Sequence, residues 1–152
     1  MFCKHSLLAL IPARSGSKGL PDKNIINCAG KPLINWSISA AKNVDFFDDV
    51  LVSTDSVKIA DLARHAGASV PFLRPDEFAT DDASIVDVVK HAWKNHLAPN
   101  GEYFDYIRCV PNFRTREPVA TILRFFKNRE WIICETKDSR PGHPITTYWY
   151  YL

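Results

Sequence analysis

Apolar positions along the chain fall into two patterns, short unbroken runs and longer stretches in which they recur at helical spacing. The run over residues 7–11 predicts a strand that is buried on both faces. Similar runs predict strands over residues 49–54, 69–73, 103–110 and 131–134. Helical spacing predicts helices that start at Pro32 and Ile85 and cover residues 57–65 and 121–127. Strands that alternate with helices predict a three-layer α/β fold with a mostly parallel sheet.

The division of the chain follows from its length and its aromatic end. A chain of 152 residues fits one domain, and we assign residues 1–135 to an α/β domain. Residues 136–152 form a tail that ends in Tyr148, Trp149, Tyr150 and Tyr151. Such an aromatic patch either packs back on the domain or marks a surface that is normally covered.

Composition and charge exclude several classes of protein. A net charge of +2 gives no general attraction to nucleic acid, so an anion site has to come from local clustering of cations. The four cysteines include no C-x-x-C pair and indicate free thiols rather than zinc. No stretch is long enough to span a membrane, and the first residues lack the features of a signal peptide. These features predict a cytoplasmic protein.

The most informative segment is the loop over residues 13–24, which follows the first strand. It contains three cations, Arg14, Lys18 and Lys23, together with two glycines and two serines. Backbone N–H groups, hydroxyls and cations that meet after a buried strand are what a polyphosphate requires. The loop matches neither a Walker motif nor the dinucleotide fingerprint. We interpret it as a phosphate-binding loop.

The run IPARSGSKGLPDKN, followed by AGKPLI, resembles the signature of the acylneuraminate cytidylyltransferases, which activate sialic and related nonulosonic acids. The resemblance extends over residues 8–106. It implies a Rossmann-like fold of the nucleotide-diphospho-sugar transferase type. It also implies transfer of CMP from CTP to a nine-carbon 2-keto sugar acid with release of pyrophosphate. Mg²⁺ as cofactor and a homodimer are further implications of the resemblance.

The resemblance carries over to individual residues of this chain. It implies catalytic roles for Arg14, Lys18 and Lys23, which would neutralise the triphosphate. Residues implied in nucleotide binding are Ala13, Ser15, Gly16, Ser17, Asn24, Arg74 and Ser84.

Three acidic positions near the presumed site leave alternatives open. Asp55 follows the second strand, where a carboxylate can bind a ribose, a metal or a base edge. Alternatively, Asp55 or Ser56 only caps the next helix. Asp81 and Asp82 precede the helix that starts at Ile85, and no acidic pair here matches the one that holds magnesium in the family. The metal ligands are therefore not identifiable, with Asp55 a weak candidate.

The chain departs from the family after the fourth predicted strand. Val110 stands where relatives carry a glutamine that faces the cytosine, and valine cannot hydrogen-bond a base edge. The following run, PNFRTRE, is altered, and the chain stops well before relatives do. Two alternatives follow: a truncated, inactive remnant that binds nucleotide, or a nucleotidyltransferase for another sugar.

Overall fold

The computed structural model describes residues 5–110, together with the backbone of three strands over residues 120–125, 131–137 and 145–151. In this part of the chain the elements run in the order β1 (Leu7–Pro12), a 3-10 turn (Lys23–Ile25), β2 (Asn27–Cys28), β3 (Lys31–Pro32), α1 (Leu33–Lys42), β4 (Asp49–Ser53), α2 (Val57–His65), a second 3-10 turn (Asp76–Phe78), α3 (Ile85–Asn95), β5 (Tyr106–Cys109), β6 (Ala120–Phe125), β7 (Trp131–Lys137) and β8 (Ile145–Tyr151). No helix in these residues is long and apolar enough to cross a bilayer.

The main sheet has the strand order β4-β1-β5-β6-β7-β8. β1 pairs in parallel with β4 on one side and with β5 on the other, whereas the pairs from β5 to β8 are antiparallel. The chain therefore passes from β1 to β4 and then returns to the opposite side of β1. A reversal of this kind opens a crevice at the carboxyl ends of the parallel strands, where ligands of open α/β sheets bind.

Helices cover both faces of the parallel strands. Residues of β1 alternate between the faces, so Leu8 and Leu10 pack under α3 while Ala9 and Ile11 pack under α1 and α2. All four side chains are completely buried. This two-sided burial explains why β1 reads as an unbroken apolar run rather than as an alternating one.

The α/β class with a Rossmann-like three-layer arrangement is confirmed. α2 has the predicted bounds, α1 begins at Leu33, one residue after Pro32, and α3 ends at Asn95. The predicted strand over residues 69–73 is reduced to a single bridge between Leu51 and Ser69, because Pro71 has no N–H to donate to a ladder.

The helix predicted over residues 121–127 is wrong. The chain forms β6 over Ala120–Phe125, which pairs antiparallel with β5 and places Ile107 opposite Leu123. The altered run over residues 111–119 and the segment 138–144 lie outside the described residues. Within the predicted tail, β8 pairs antiparallel with β7. The division into a domain and a tail stays a prediction.

Candidate functional site

The candidate site lies where β1 and β4 end side by side. Pro12 is opposite Ser53, and the N–H of Ala13 extends the pairing by donating to the Ser53 carbonyl at 2.9 Å. The residues that follow β1 and β4 leave the sheet at the same edge. The loop after β1 and Asp55 after β4 are therefore neighbours, at the crevice that the strand order creates.

Asp55 fixes the start of this loop. Its Oδ1 accepts the Ser15 N–H at 2.8 Å and its Oδ2 accepts the Ser15 hydroxyl at 2.6 Å. Burial by itself would raise the pKa of Asp55, but the bonds from Ser15 outweigh it and leave the pKa below its usual value. Asp55 is therefore a firmly ionised anchor. The α2 cap is Ser56, whose hydroxyl accepts the Ile59 N–H at 3.3 Å.

The end of the loop is tied back to its beginning. Asn24 is buried and its side-chain amide donates to the Arg14 carbonyl at 3.1 Å. Inside the loop the Ser17 N–H donates to the Ser15 carbonyl. The N–H groups of Gly16 and Lys18 have no acceptor among the described residues, so they are available to a bound anion.

Two of the predicted cations meet on one carboxylate. An Arg14 guanidinium nitrogen contacts Oδ1 of Asp81, and Lys18 Nζ lies 3.2 Å from its Oδ2. Lys18 is 78% exposed, whereas Arg14 is 29% exposed. These two cations, with Arg14 the larger contributor, hold the pKa of Asp81 below its usual value. Within the part of the chain described here, Lys23 forms no ion pair and joins neither cation.

Arg74 lies beneath the site rather than at its surface. It is 5% exposed, and its guanidinium donates to the hydroxyl and the carbonyl of Ser53 and to the carbonyl of Phe78 at 3.2 Å. Burial lowers the pKa of Arg74 to about 10, although the charge of Asp55 opposes the shift. Arg74 thus joins the end of β4 to the second 3-10 turn, from which the chain continues to Asp81.

Ser84 caps the start of α3. Its hydroxyl oxygen accepts the Val86 N–H at 3.2 Å. The side chain is exposed, and a hydroxyl that accepts one bond still carries a proton to donate. Ser84 lies three residues after Asp81, which contacts the loop after β1.

A magnesium site does not emerge from the described residues. They contain no group of three acidic, histidine or cysteine side chains that could hold a metal ion. Asp55 and Asp81 are separately engaged, one by Ser15 and the other by the two cations. Mg²⁺ stays a prediction.

Val110 lies at the end of β5 and packs on the apolar cluster under α1 and α2. Its N–H donates to the Leu10 carbonyl at 2.8 Å.

Sequence reasoning missed two features of the site, the anchor between Asp55 and Ser15 and the shared contact with Asp81. The parallel pairing of β1 with β4 would have indicated the first.

Comparison with known proteins identifies similar chains. The family model described as cytidylyltransferase matches residues 8–99. The chain is 35% identical over 141 residues to an N-acylneuraminate cytidylyltransferase of Escherichia coli O18:K1:H7, with 93% of this chain and 33% of the relative covered. It is 51% identical over 83 residues to a CMP-N,N'-diacetyllegionaminic acid synthase of Legionella pneumophila, with 55% of this chain and 36% of the relative covered.

A solved structure of CMP:2-keto-3-deoxy-manno-octonic acid synthetase complexed with CTP has the same fold. Its TM-score is 0.59 at 23% identity, and the match covers 70% of this chain and 40% of that one. At this identity the likeness concerns the fold alone. The chain spans about a third of the length of the two curated relatives.

Proposed function

This chain belongs to the cytidylyltransferase family, and from that premise we propose that it binds CTP at the loop after β1 and transfers CMP to an acylneuraminate or a related nonulosonic acid. The acceptor class comes from the relatives, which are named for acylneuraminate and diacetyllegionaminic acid. Because the chain spans only part of these relatives, activity and substrates are proposals for the whole protein.

One observation carries the proposal: Arg14 and Lys18 converge on a single anionic group at the carboxyl end of β1. A site that already gathers two cations around one carboxylate can gather them around a phosphate. The N–H groups of Gly16 and Lys18, which have no acceptor among the described residues, add neutral donors on the same loop. This combination of backbone donors and cations is the one that phosphate-binding loops use.

The reaction explains why such cations are needed. The anomeric hydroxyl of the sugar acid attacks the α-phosphorus of CTP and loses its proton to water. The bond from this phosphorus to the oxygen that bridges it to the β-phosphate breaks, and pyrophosphate leaves. The triphosphate and the sugar carboxylate are all anionic, so their repulsion has to be neutralised first. Arg14 can offer two parallel donors to phosphate oxygens, while Lys18 acts as a mobile point charge.

The test is pyrophosphate release from CTP, with Mg²⁺ in the buffer and a panel of nine-carbon 2-keto sugar acids as acceptors. We expect turnover with at least one acid, and a loss of about 10²-fold in the Lys18→Ala variant, since it removes a contact to developing charge. Lys58→Ala is the matched control, because Lys58 is an exposed lysine on α2. It should keep the turnover of the parent protein.

Nucleotide binding measured in parallel separates the alternatives. Preference for CTP over UTP, dTTP and GTP is expected; preference for another base would favour a nucleotidyltransferase for a different sugar. CTP binding without pyrophosphate release for any acid would favour the inactive, nucleotide-binding remnant. Val110 makes this comparison necessary, since its side chain cannot read the cytosine edge.

We further propose that the protein works in the cytoplasm, where CTP is made available, and as a homodimer, as the family resemblance implies. Size-exclusion chromatography with light scattering measures the second property directly. No nucleic acid is proposed as partner, because the net charge is only +2.

A further inference from the structure

The carboxylate of Asp81 occupies the cation pair of the phosphate loop. Each of its oxygens contacts one cation, Oδ1 with Arg14 and Oδ2 with Lys18. We propose that Asp81 is an internal competitor of the nucleotide, which holds this cation pair until the phosphates of the ligand displace it. The inference rests on the proposed function, because it concerns regulation of the same site.

A carboxylate is a close chemical substitute for part of a phosphate. Both groups have two oxygens that share negative charge, and both can bind a planar guanidinium or an ammonium group through them. A triphosphate carries more charge than Asp81 and can also use the N–H groups of Gly16 and Lys18, which have no acceptor within residues 5–110. The exchange therefore favours the nucleotide. Once it is bound, repulsion between like charges drives Asp81 away from the phosphates.

The segment that carries Asp81 is held at both ends and exposed between them. On one side Arg74 holds the Phe78 carbonyl, and on the other Ser84 caps α3. Between these anchors Asp81 is an exposed residue, so its carboxylate can withdraw into water without disturbing the core. The two anchors remain in place, and the displacement is confined to residues 79–83.

The competitor is present at every physiological pH. The Arg14 and Lys18 contacts hold the pKa of Asp81 below its usual value of 3.8, so the carboxylate is ionised at neutral pH. Asp82, the next residue, is also exposed, but within residues 5–110 it contacts neither cation. The two neighbours thus carry the same charge and differ in this contact.

Calorimetric titration of three variants with CTP and with inorganic tripolyphosphate, each with and without Mg²⁺, tests the inference. Asp81→Asn removes the competing charge, and we expect about 3- to 10-fold tighter binding of both ligands, the range expected for one or two exposed ion pairs. Asp82→Asn makes the same change in net charge and should alter the affinity less than about twofold. Asp81→Glu keeps the carboxylate and should stay close to the parent protein.

Three results would overturn the inference. Weaker binding of both ligands to Asp81→Asn would mean that Asp81 positions the cations for the ligand. A loss confined to titrations with Mg²⁺ would make it a metal ligand, and an unchanged affinity would mean that its contacts do not compete. Tighter binding of tripolyphosphate to Asp81→Asn, without preference for CTP among nucleoside triphosphates, supports the inference and contradicts the proposed function.

Discussion

Asp49 shows how a single carboxylate can hold three parts of the chain together at the end of the sheet opposite the site. It accepts the Val50 N–H at 2.7 Å and the Ser69 hydroxyl at 2.9 Å, and His96 Nε2 lies 2.7 Å from its Oδ2. Burial would raise the pKa of Asp49, but these hydrogen bonds, with the one from His96 first, leave it below its usual value. The network joins β4, the segment after α2 and the end of α3.

We expect Asp49→Asn to lower the free energy of unfolding at pH 7 by about 1–2 kcal/mol, since it removes a charged acceptor from the His96 contact. The pKa of Asp49 is lower in the folded state than in the unfolded state. The stabilisation is therefore present above the ordinary value of 3.8 and is lost as the pH falls through the folded-state pKa. Urea unfolding of both proteins at pH 7 and pH 3 measures the effect. Asp45 is an exposed carboxylate before β4, so Asp45→Asn should leave the free energy of unfolding unchanged. An equal penalty at both pH values would contradict the assignment.

Between elements, the contact of Asp55 with Ser15 fixes the loop after β1 to the end of β4. Asp55→Asn keeps one acceptor oxygen but replaces the other with an amide donor, so one of the two bonds from Ser15 is lost. We expect the Kd for CTP to rise about tenfold, the equivalent of one hydrogen bond to a charged group. Isothermal titration measures it, with Asp61→Asn on α2 as the control. An unchanged Kd would mean that the loop keeps its shape without this anchor.

Elements whose sequence pattern fits only one type of secondary structure were predictable from the sequence. The buried run of β1 and the periodic stretch of α2 were both predicted correctly. β6 was not, because Ile122, Leu123 and Phe125 fit helical spacing and strand formation equally well over so short a run. Pairing with β5, which sequence spacing does not contain, decides the outcome.

In the candidate site too, features that are local in sequence could be predicted and contacts between distant segments could not. The loop and the meeting of Arg14 with Lys18 could be predicted, since these residues are close in sequence, whereas Lys23 does not join them in the described part of the chain. The contact of Arg14 with Asp81 joins residues from two distant loops. It depends on how Arg74 directs the chain after β4, through bonds to Ser53 and Phe78. Local sequence carries no signal for such a path.

In the molecule as a whole, the site depends on a strand that is covered on both faces. β1 delivers the phosphate loop, and β4 and β5 flank it in parallel. Because α3 packs on one face and α1 with α2 on the other, the end of β1 is fixed from both sides. The polar groups at the crevice are therefore displayed from a strand that is buried on both faces.

This architecture predicts that successive residues of β1 matter equally for stability, although their side chains point in opposite directions. Leu10 and Ile11 are both fully buried, in separate apolar clusters. We expect Leu10→Ala and Ile11→Ala each to lower the free energy of unfolding by about 2–5 kcal/mol, because each leaves a cavity in a packed layer. Val57→Ala, at a side chain that is 60% exposed, should change it by less than about 0.5 kcal/mol. Urea unfolding followed by circular dichroism compares the three variants. If one of the two β1 variants unfolded like the parent protein, one face of the strand would be uncovered in solution and the three-layer arrangement would be contradicted.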